Sequence, residues 1–262
     1  MSPKIESLHP ELDAYTFRFD DALLDEIRDS YQRELATLLE NPQNQYLFQG
    51  GQSHRARVGK SASYFALSFE NYPLLWFSNN NAETYAIFRQ FFDALSIEDE
   101  VRKLVDYRQG IIMYCGFLVI GDRAPSPQWH NDYAPNANAF TLITPLFELD
   151  PSHGHLLYKL GNQTQRYQYT LGEGIFFGDK TAHSTEPYPP SAKKRVLLSL
   201  TFGTDKLEYW PQLKESLDSQ APYFMLPCGH IYGSCKCLKP SMLERLNRWV
   251  HQRATPTTDI RS

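Results

Sequence analysis

This chain of 262 residues reads as a mostly β protein with flanking helices, an α+β chain built on a double-sheet jelly roll. Three observations lead there. Between residues 107 and 205, short apolar or alternating runs rich in β-branched and aromatic residues are separated by turn residues. Helical periodicity is confined to the N-terminal part and the tail. The run Arg195 to Phe202 alternates, with Arg195, Leu197, Ser199 and Thr201 on one face and Val196, Leu198, Leu200 and Phe202 on the other. The expected organisation is one compact domain in three regions. Residues 1–106 form a helical and loop region packing on the core, 107–205 the jelly-roll core, and 206–262 a C-terminal extension.

Taken in order, residues 20 to 40 fit an amphipathic helix. Asp20 or Asp21 can cap it, Leu24, Ile27, Tyr31, Leu35, Leu38 and Leu39 form its stripe, and Asn41-Pro42 stops it. From 42 to 81 the chain is irregular and polar apart from a strand at Tyr72 to Phe77. It carries the basic cluster His54, Arg55, Arg57 and Lys60, either plain surface charge or a loop over a site. Asn81 caps a helix through Leu95, and Ser96 caps a shorter one ending near Val105. Ile111 to Ile120 reads as a buried strand. Phe140 to Phe147, Leu156 to Leu160 and Ile175 to Gly178 come next as strands, the last after the Gly172-Glu173-Gly174 turn. A loop with Pro187, Pro189 and Pro190 precedes the strand from Arg195.

Three polar side chains carry the chemical reading. If residues 128 to 133 are extended, His130 and Asp132 project to the same face and can reach one common atom. His183 comes after 50 intervening residues, enough for antiparallel strands to return the chain to that place. Two imidazoles and a carboxylate on one side of a metal leave the opposite positions open, and this set favours non-haem Fe(II). His153 and His155 are spare ligands in principle, but the His-x-Asp pair already accounts for the site. A cation buried on the polar face of the last strand, Arg195, requires an anionic partner.

His130-x-Asp132, then His183, then Arg195 twelve positions later, resembles the Fe(II)/2-oxoglutarate-dependent dioxygenases of the prolyl-hydroxylase and phytanoyl-CoA-hydroxylase kind. The resemblance spans residues 107 to 205 and implies a double-stranded β-helix core. It implies that His130, Asp132 and His183 hold Fe(II), and that Arg195 grips the distal carboxylate of 2-oxoglutarate. A guanidinium can do so through two parallel hydrogen bonds. Lys193 shares the Arg195 face and competes for that role if the strand starts earlier. Tyr114 and Ser199 are further candidates for the co-substrate, Tyr114 alternatively being a plain core tyrosine. Beside the iron pair, Tyr133, Asn136 and Asn138 are candidate substrate contacts, and Arg55 and Arg57 would join them if their loop covers the site. Turn chemistry alone also explains the asparagines. An intact Asp132 implies hydroxylation or a related oxidation rather than halogenation. The implied activity is oxidation of an unactivated C–H bond of a small metabolite with dioxygen, releasing succinate and carbon dioxide. A peptidyl side chain is the alternative substrate, and a non-catalytic metal-binding jelly roll is the rival class.

Composition narrows the partners. The formal net charge is −4, without the basic stripe of a nucleic-acid binder. No run reaches the roughly 18 apolar residues of a membrane span, and the first residues lack an apolar signal core. A reducing cytoplasm is the expected setting for four unevenly placed cysteines. Three of them lie in the tail, where Cys228, His230, Cys235 and Cys237 offer four soft ligands within ten residues. This is either a structural zinc site tighter than usual knuckles or a loop with packed or free thiols. Ser241 caps an expected last helix carrying Leu243, Leu246, Trp249 and Val250, and 253–262 is expected to fray.

Overall fold

A computed structural model describes residues 3–48, 54–69, 72–238 and 258–260. The strands in chain order are β1 (Glu6–Ser7), β2 (Ala14–Arg18), β3 (Arg55–Val58), β4 (Tyr64–Phe69), β5 (Tyr72–Asn79), β6 (Ile112–Gly121) and β7 (Ala139–Pro145). They continue with β8 (Leu156–Leu160), β9 (Gln163–Tyr167), β10 (Glu173–Phe177), β11 (His183–Thr185), β12 (Arg195–Gly203) and β13 (Thr258–Ile260). The helices are α1 (Asp25–Tyr31), α2 (Thr37–Glu40), α3 (Ala82–Ala94), α4 (Glu98–Val101) and α5 (Trp210–Gln220). A large sheet runs β1-β2-β10-β7-β12-β6-β5-β4-β3-β13, and a small one runs β11-β8-β9. The two sheets form the jelly roll.

Strand β12 lies at the centre of this arrangement, paired antiparallel with β6 and with β7. Its residues are all buried, because both sides of the large sheet are covered. On one side Val196, Leu198, Leu200 and Phe202 meet Leu24, Ile27, Phe88, Phe91 and Phe92 of the helical layer. On the other, Leu197 joins Leu156, Tyr167, Tyr169, Ile175 and Phe177 between the sheets. Burying each such leucine or phenylalanine contributes about 1.5–3 kcal/mol, so reversing the alternation would be prohibitive.

The helix expected over 20–40 is present, with Asp20 accepting from the amide of Ala22. One wider π turn at Gln32–Ala36 joins α1 to α2. Helix α3 starts at the Asn81 cap as expected. Ser96, by contrast, caps nothing: it takes a left-handed conformation with φ 53° and its hydroxyl turns back to the Ala94 carbonyl.

The N-terminal region differs from expectation. Rather than only packing on the core, it supplies β1 to β5 to the large sheet itself. Strands β3 and β4 occupy part of the stretch expected to be irregular, because Arg55 and Arg57 face out while Ala56 and Val58 face in. Two apolar residues between charges make a faint sequence signal. At the other end, β13 pairs parallel with β3 inside the stretch expected to fray. The last helix expected from Ser241 lies outside the described residues. No described helix is long and apolar enough to cross a membrane.

Candidate metal centre and anion pocket

His130 and His183 face each other across a two-bond bridge. The His130 amide donates to the His183 carbonyl at 3.1 Å, and the His183 amide returns the bond at 3.0 Å. Residue 130 thus extends the small sheet beyond β11, and the two ring centroids lie 4.4 Å apart. Oδ1 of Asp132 is 3.4 Å from Nε2 of His130 and 3.5 Å from Nε2 of His183. One donor atom from each of the three side chains lies within 4.8 Å of the others.

Each ring is fixed from behind. Nδ1–H of His130 donates to the Gln128 carbonyl at 2.8 Å, and Nδ1–H of His183 to the Thr181 carbonyl at 3.0 Å. A carbonyl only accepts, so each Nδ1 carries a proton, and each Nε2, which faces Asp132, is the nitrogen that a metal would take. Burial would raise the Asp132 carboxyl, but His183 and His130 outweigh it and hold its pKa at about 2. Burial keeps His183 below its ordinary value. A carboxylate oxygen and two imidazole Nε2 atoms converging on one point are a donor set that fits a divalent non-haem iron.

The loops that deliver these ligands are tied down from elsewhere. Asp13, just before β2, accepts from the Lys180 amide at 2.9 Å and the Thr181 hydroxyl at 2.7 Å. Asn131 donates to the Asp179 carbonyl at 2.7 Å. Ser216 of α5 donates to the Asp132 carbonyl at 2.5 Å. Phe177 packs against the His183 ring with centroids 4.3 Å apart.

Arg195 opens β12 on the inner face and is 1% exposed. Its guanidinium lies over the Tyr169 ring, 5.6 Å from the centroid. Its Nε has no hydrogen-bond partner, and no ion pair among the described residues includes it. Other buried polar atoms nearby are orphaned too. His155 accepts from the Tyr169 amide at Nδ1, which puts its proton on an unpartnered Nε2, and Arg195 helps depress its pKa. The Tyr72 hydroxyl is buried beside the Thr185 side chain and also feels the Arg195 charge. Burial pushes the Tyr169 phenol to about 12, with Arg195 pulling it down and Asp132 up, so both groups act on one ring. Unpaired donors around a buried cation require an anion. A dicarboxylate reaching from the metal ligands to Arg195 would meet that need.

The other sequence candidates fall into place around this centre. Lys193 is an exposed loop residue before β12 starts, which leaves the inner position to Arg195. Ser199 lies on the Arg195 face, deeper along the strand. Tyr114 is a correction: its hydroxyl donates to the Thr204 carbonyl at 2.7 Å within a core cluster with Trp210 and Phe224. The reason is a bulge, since Thr201 pairs with Cys115 and Phe202 with Met113, leaving Tyr114 without a partner in register. Tyr133 is buried with its hydroxyl 2.9 Å from that of Thr141, so it anchors the loop and does not offer itself to a substrate. Asn136 and Asn138 adopt φ of 63° and 56°, and Asn138 brackets the backbone of Asp106 with both amide atoms. Turn chemistry accounts for both. Arg55 and Arg57 sit on β3, separated from β12 by β4, β5 and β6, and do not form a loop over the site. His153 bonds Ser191 through Nε2 and is not a ligand of this centre. Sequence reading missed Tyr72 and Tyr169 beside Arg195 and weighed His155 only as a spare metal ligand; one strand end and two loops far apart in sequence gave little to find. The tail ligands Cys228, His230, Cys235 and Cys237 also converge, away from this centre.

No family model and no curated protein sequence matches the chain. Solved structures do. The non-heme alpha ketoglutarate dependent epimerase SnoN from nogalamycin biosynthesis aligns with TM-score 0.51 at 12% identity, over 74% of this chain and 79% of SnoN. HygX from Streptomyces hygroscopicus, with nickel and 2-oxoglutarate bound, aligns with TM-score 0.49 at 9% identity, over 74% of this chain and 84% of its own. EctD from S. alaskensis aligns with TM-score 0.49 at 12% identity, over 78% and 85%. At such identities the likeness is one of fold, and by fold the chain is a jelly roll of the kind on which the non-haem, alpha-ketoglutarate-dependent SnoN is built.

Proposed function

We propose that this chain is an Fe(II)/2-oxoglutarate-dependent oxygenase acting on an unactivated C–H bond of a small metabolite. The observation that carries the reading is the pairing of two incomplete sites in one interior: a three-donor metal set, and a buried arginine with no counter-charge among the described residues. A metal-binding jelly roll without turnover has no use for the second. His130, Asp132 and His183 would hold iron on one side only. Arg195 would bind the far carboxylate of 2-oxoglutarate, with Nε2–H of His155 as a further donor. Bound together, iron and 2-oxoglutarate would supply the oxidising power, with dioxygen consumed and succinate and carbon dioxide released. The protein's part is to position and to exclude water, which Phe177, Tyr169 and the inter-sheet cluster do on the buried side.

Trp129, the neighbour of His130 in the chain, is 37% exposed and its ring carries the Lys159 ammonium 4.1 Å from its centroid, so a flat or anionic small molecule could be met there. A peptidyl side chain is the alternative.

Anaerobic Fe(II) titration with and without 2-oxoglutarate tests the proposal. A metal-to-ligand charge-transfer band in the visible that needs both components is expected. Its absence at saturating 2-oxoglutarate would reduce the chain to a metal-binding protein. Succinate release across amino acids, peptides and organic acids then identifies the substrate class.

A further inference from the structure

The tail after α5 folds back as a small knot. An isolated bridge pairs Met225 with Ile231, the Leu226 amide donates to the His230 carbonyl at 2.8 Å, and the Gly229 amide to the Leu226 carbonyl at 2.8 Å. Gly229 and Gly233 make the reversals at φ of 73° and 92°, a region where a side chain would strain the turn. These reversals bring four soft donors together. Sγ of Cys228 lies 3.4 Å from Sγ of Cys235, and Sγ of Cys237 lies 3.6 Å from Nδ1 of His230. All four donor atoms lie within 4.8 Å of one another.

We propose that Cys228, His230, Cys235 and Cys237 form a tetrahedral structural zinc site, independent of the iron centre. Zn–S bonds of about 2.3 Å and Zn–N bonds of about 2.0–2.1 Å at tetrahedral angles place donors roughly 3.5–3.8 Å apart, close to the separations here. Backbone amides are already aimed at the sulfurs. The Cys237 amide donates to Cys235 Sγ at 3.2 Å, the Leu238 amide also reaches Cys235, and the His230 amide reaches Cys228. Such N–H···S bonds stabilise thiolate ligands and orient them. A disulfide between Cys228 and Cys235 would leave the convergence of Cys237 and His230 without a cause. On binding, each cysteine gives its proton to solvent as its Zn–S bond forms.

The site would hold the tail against the body. Cys228, Tyr232, Cys235 and Leu238 pack on the cluster of Trp210, Leu213, Leu217, Phe224 and Leu226. That cluster includes Tyr133, next to Asp132, and α5 also reaches Asp132 through Ser216. Zinc in the tail therefore braces the helix that braces one iron ligand.

Metal analysis of the full chain purified under reducing conditions tests this without any activity. About one zinc per chain is expected in the wild type and in His130→Ala, and at least a tenfold loss in Cys235→Ser. Cys237→Ser, at an exposed position, should lose zinc while remaining folded. Replacing zinc by Co(II) in the wild type should give the intense visible bands and thiolate charge transfer of a tetrahedral site, a readout needing no variant. The proposal falls if the wild type holds no zinc and gives no cobalt–thiolate band. It falls equally if zinc leaves with His130→Ala but stays in the cysteine variants, or if the protein as purified holds a Cys228–Cys235 disulfide by mass in place of zinc.

Discussion

The Thr181 hydroxyl donates to Oδ1 of Asp13 at 2.7 Å across 168 residues of sequence. The carbonyl of the same threonine accepts the Nδ1 proton of His183 at 3.0 Å. An N-terminal carboxylate therefore sets the orientation of a metal-ligand ring through one intermediary. Asp13→Ala should weaken Fe(II) binding roughly 10- to 100-fold, the usual cost of removing an outer-shell partner. Thr181→Val, which keeps the carbonyl but removes the hydroxyl, should fall between it and the wild type. Anaerobic Fe(II) titration reads both.

Arg195 separates co-substrate binding from folding. Arg195→Met should abolish the Fe(II)/2-oxoglutarate charge-transfer band while leaving Fe(II) affinity unchanged. It should also raise the melting temperature of the ligand-free protein, because a buried charge without a counter-ion costs several kcal/mol. At this chain length each kcal/mol moves the midpoint by about 2–4 °C. Scanning calorimetry without 2-oxoglutarate provides the check, and a lower midpoint would mean the guanidinium has a structural partner.

The proton on His155 predicts a pH dependence. Burial, then Arg166, depress its pKa in the folded chain, while the unfolded value is about 6.5. Between the two values the unfolded chain binds more protons, so stability falls as pH drops below about 6.5. His155→Gln cannot take up that proton. Its stability should decline less than the wild type's over the same interval in denaturant titrations.

Tyr114→Phe removes the bond to the Thr204 carbonyl and nothing at the anion pocket. A loss of about 0.5–1.5 kcal/mol in stability is expected, the ordinary value of one such bond. The affinity for 2-oxoglutarate, read by the charge-transfer band, should not change.

These residues also mark where sequence was readable. Strands β6, β10 and β12 announced themselves because burial on two sides demands continuous or cleanly alternating apolar residues. The convergence of His130, Asp132 and His183 was readable because an extended His-x-Asp has one geometric outcome and β10 leads directly into the loop that delivers His183. Arg195 is buried while Lys193 is left in the exposed loop because β12 starts at Arg195. Strand β9, Gln163 to Tyr167, stayed hidden because it is mostly polar and partly exposed. Between the two readings of Tyr114, co-substrate donor or plain core tyrosine, the sequence did not choose, because the bulge that sets its place has no residue signature here. Tyr72 and Tyr169 were hidden for another reason: a strand end and a loop far apart in sequence come together only at one guanidinium.

The three metal donors differ sharply in their access to water. The side chains of His183 and Asp132 are 6% and 12% exposed, whereas that of His130 is 50% exposed. A metal ion held by the three would sit on two sheltered donors and one outer donor, so on the oxygenase reading the lifetime of the loaded centre would depend most on the His130 imidazole.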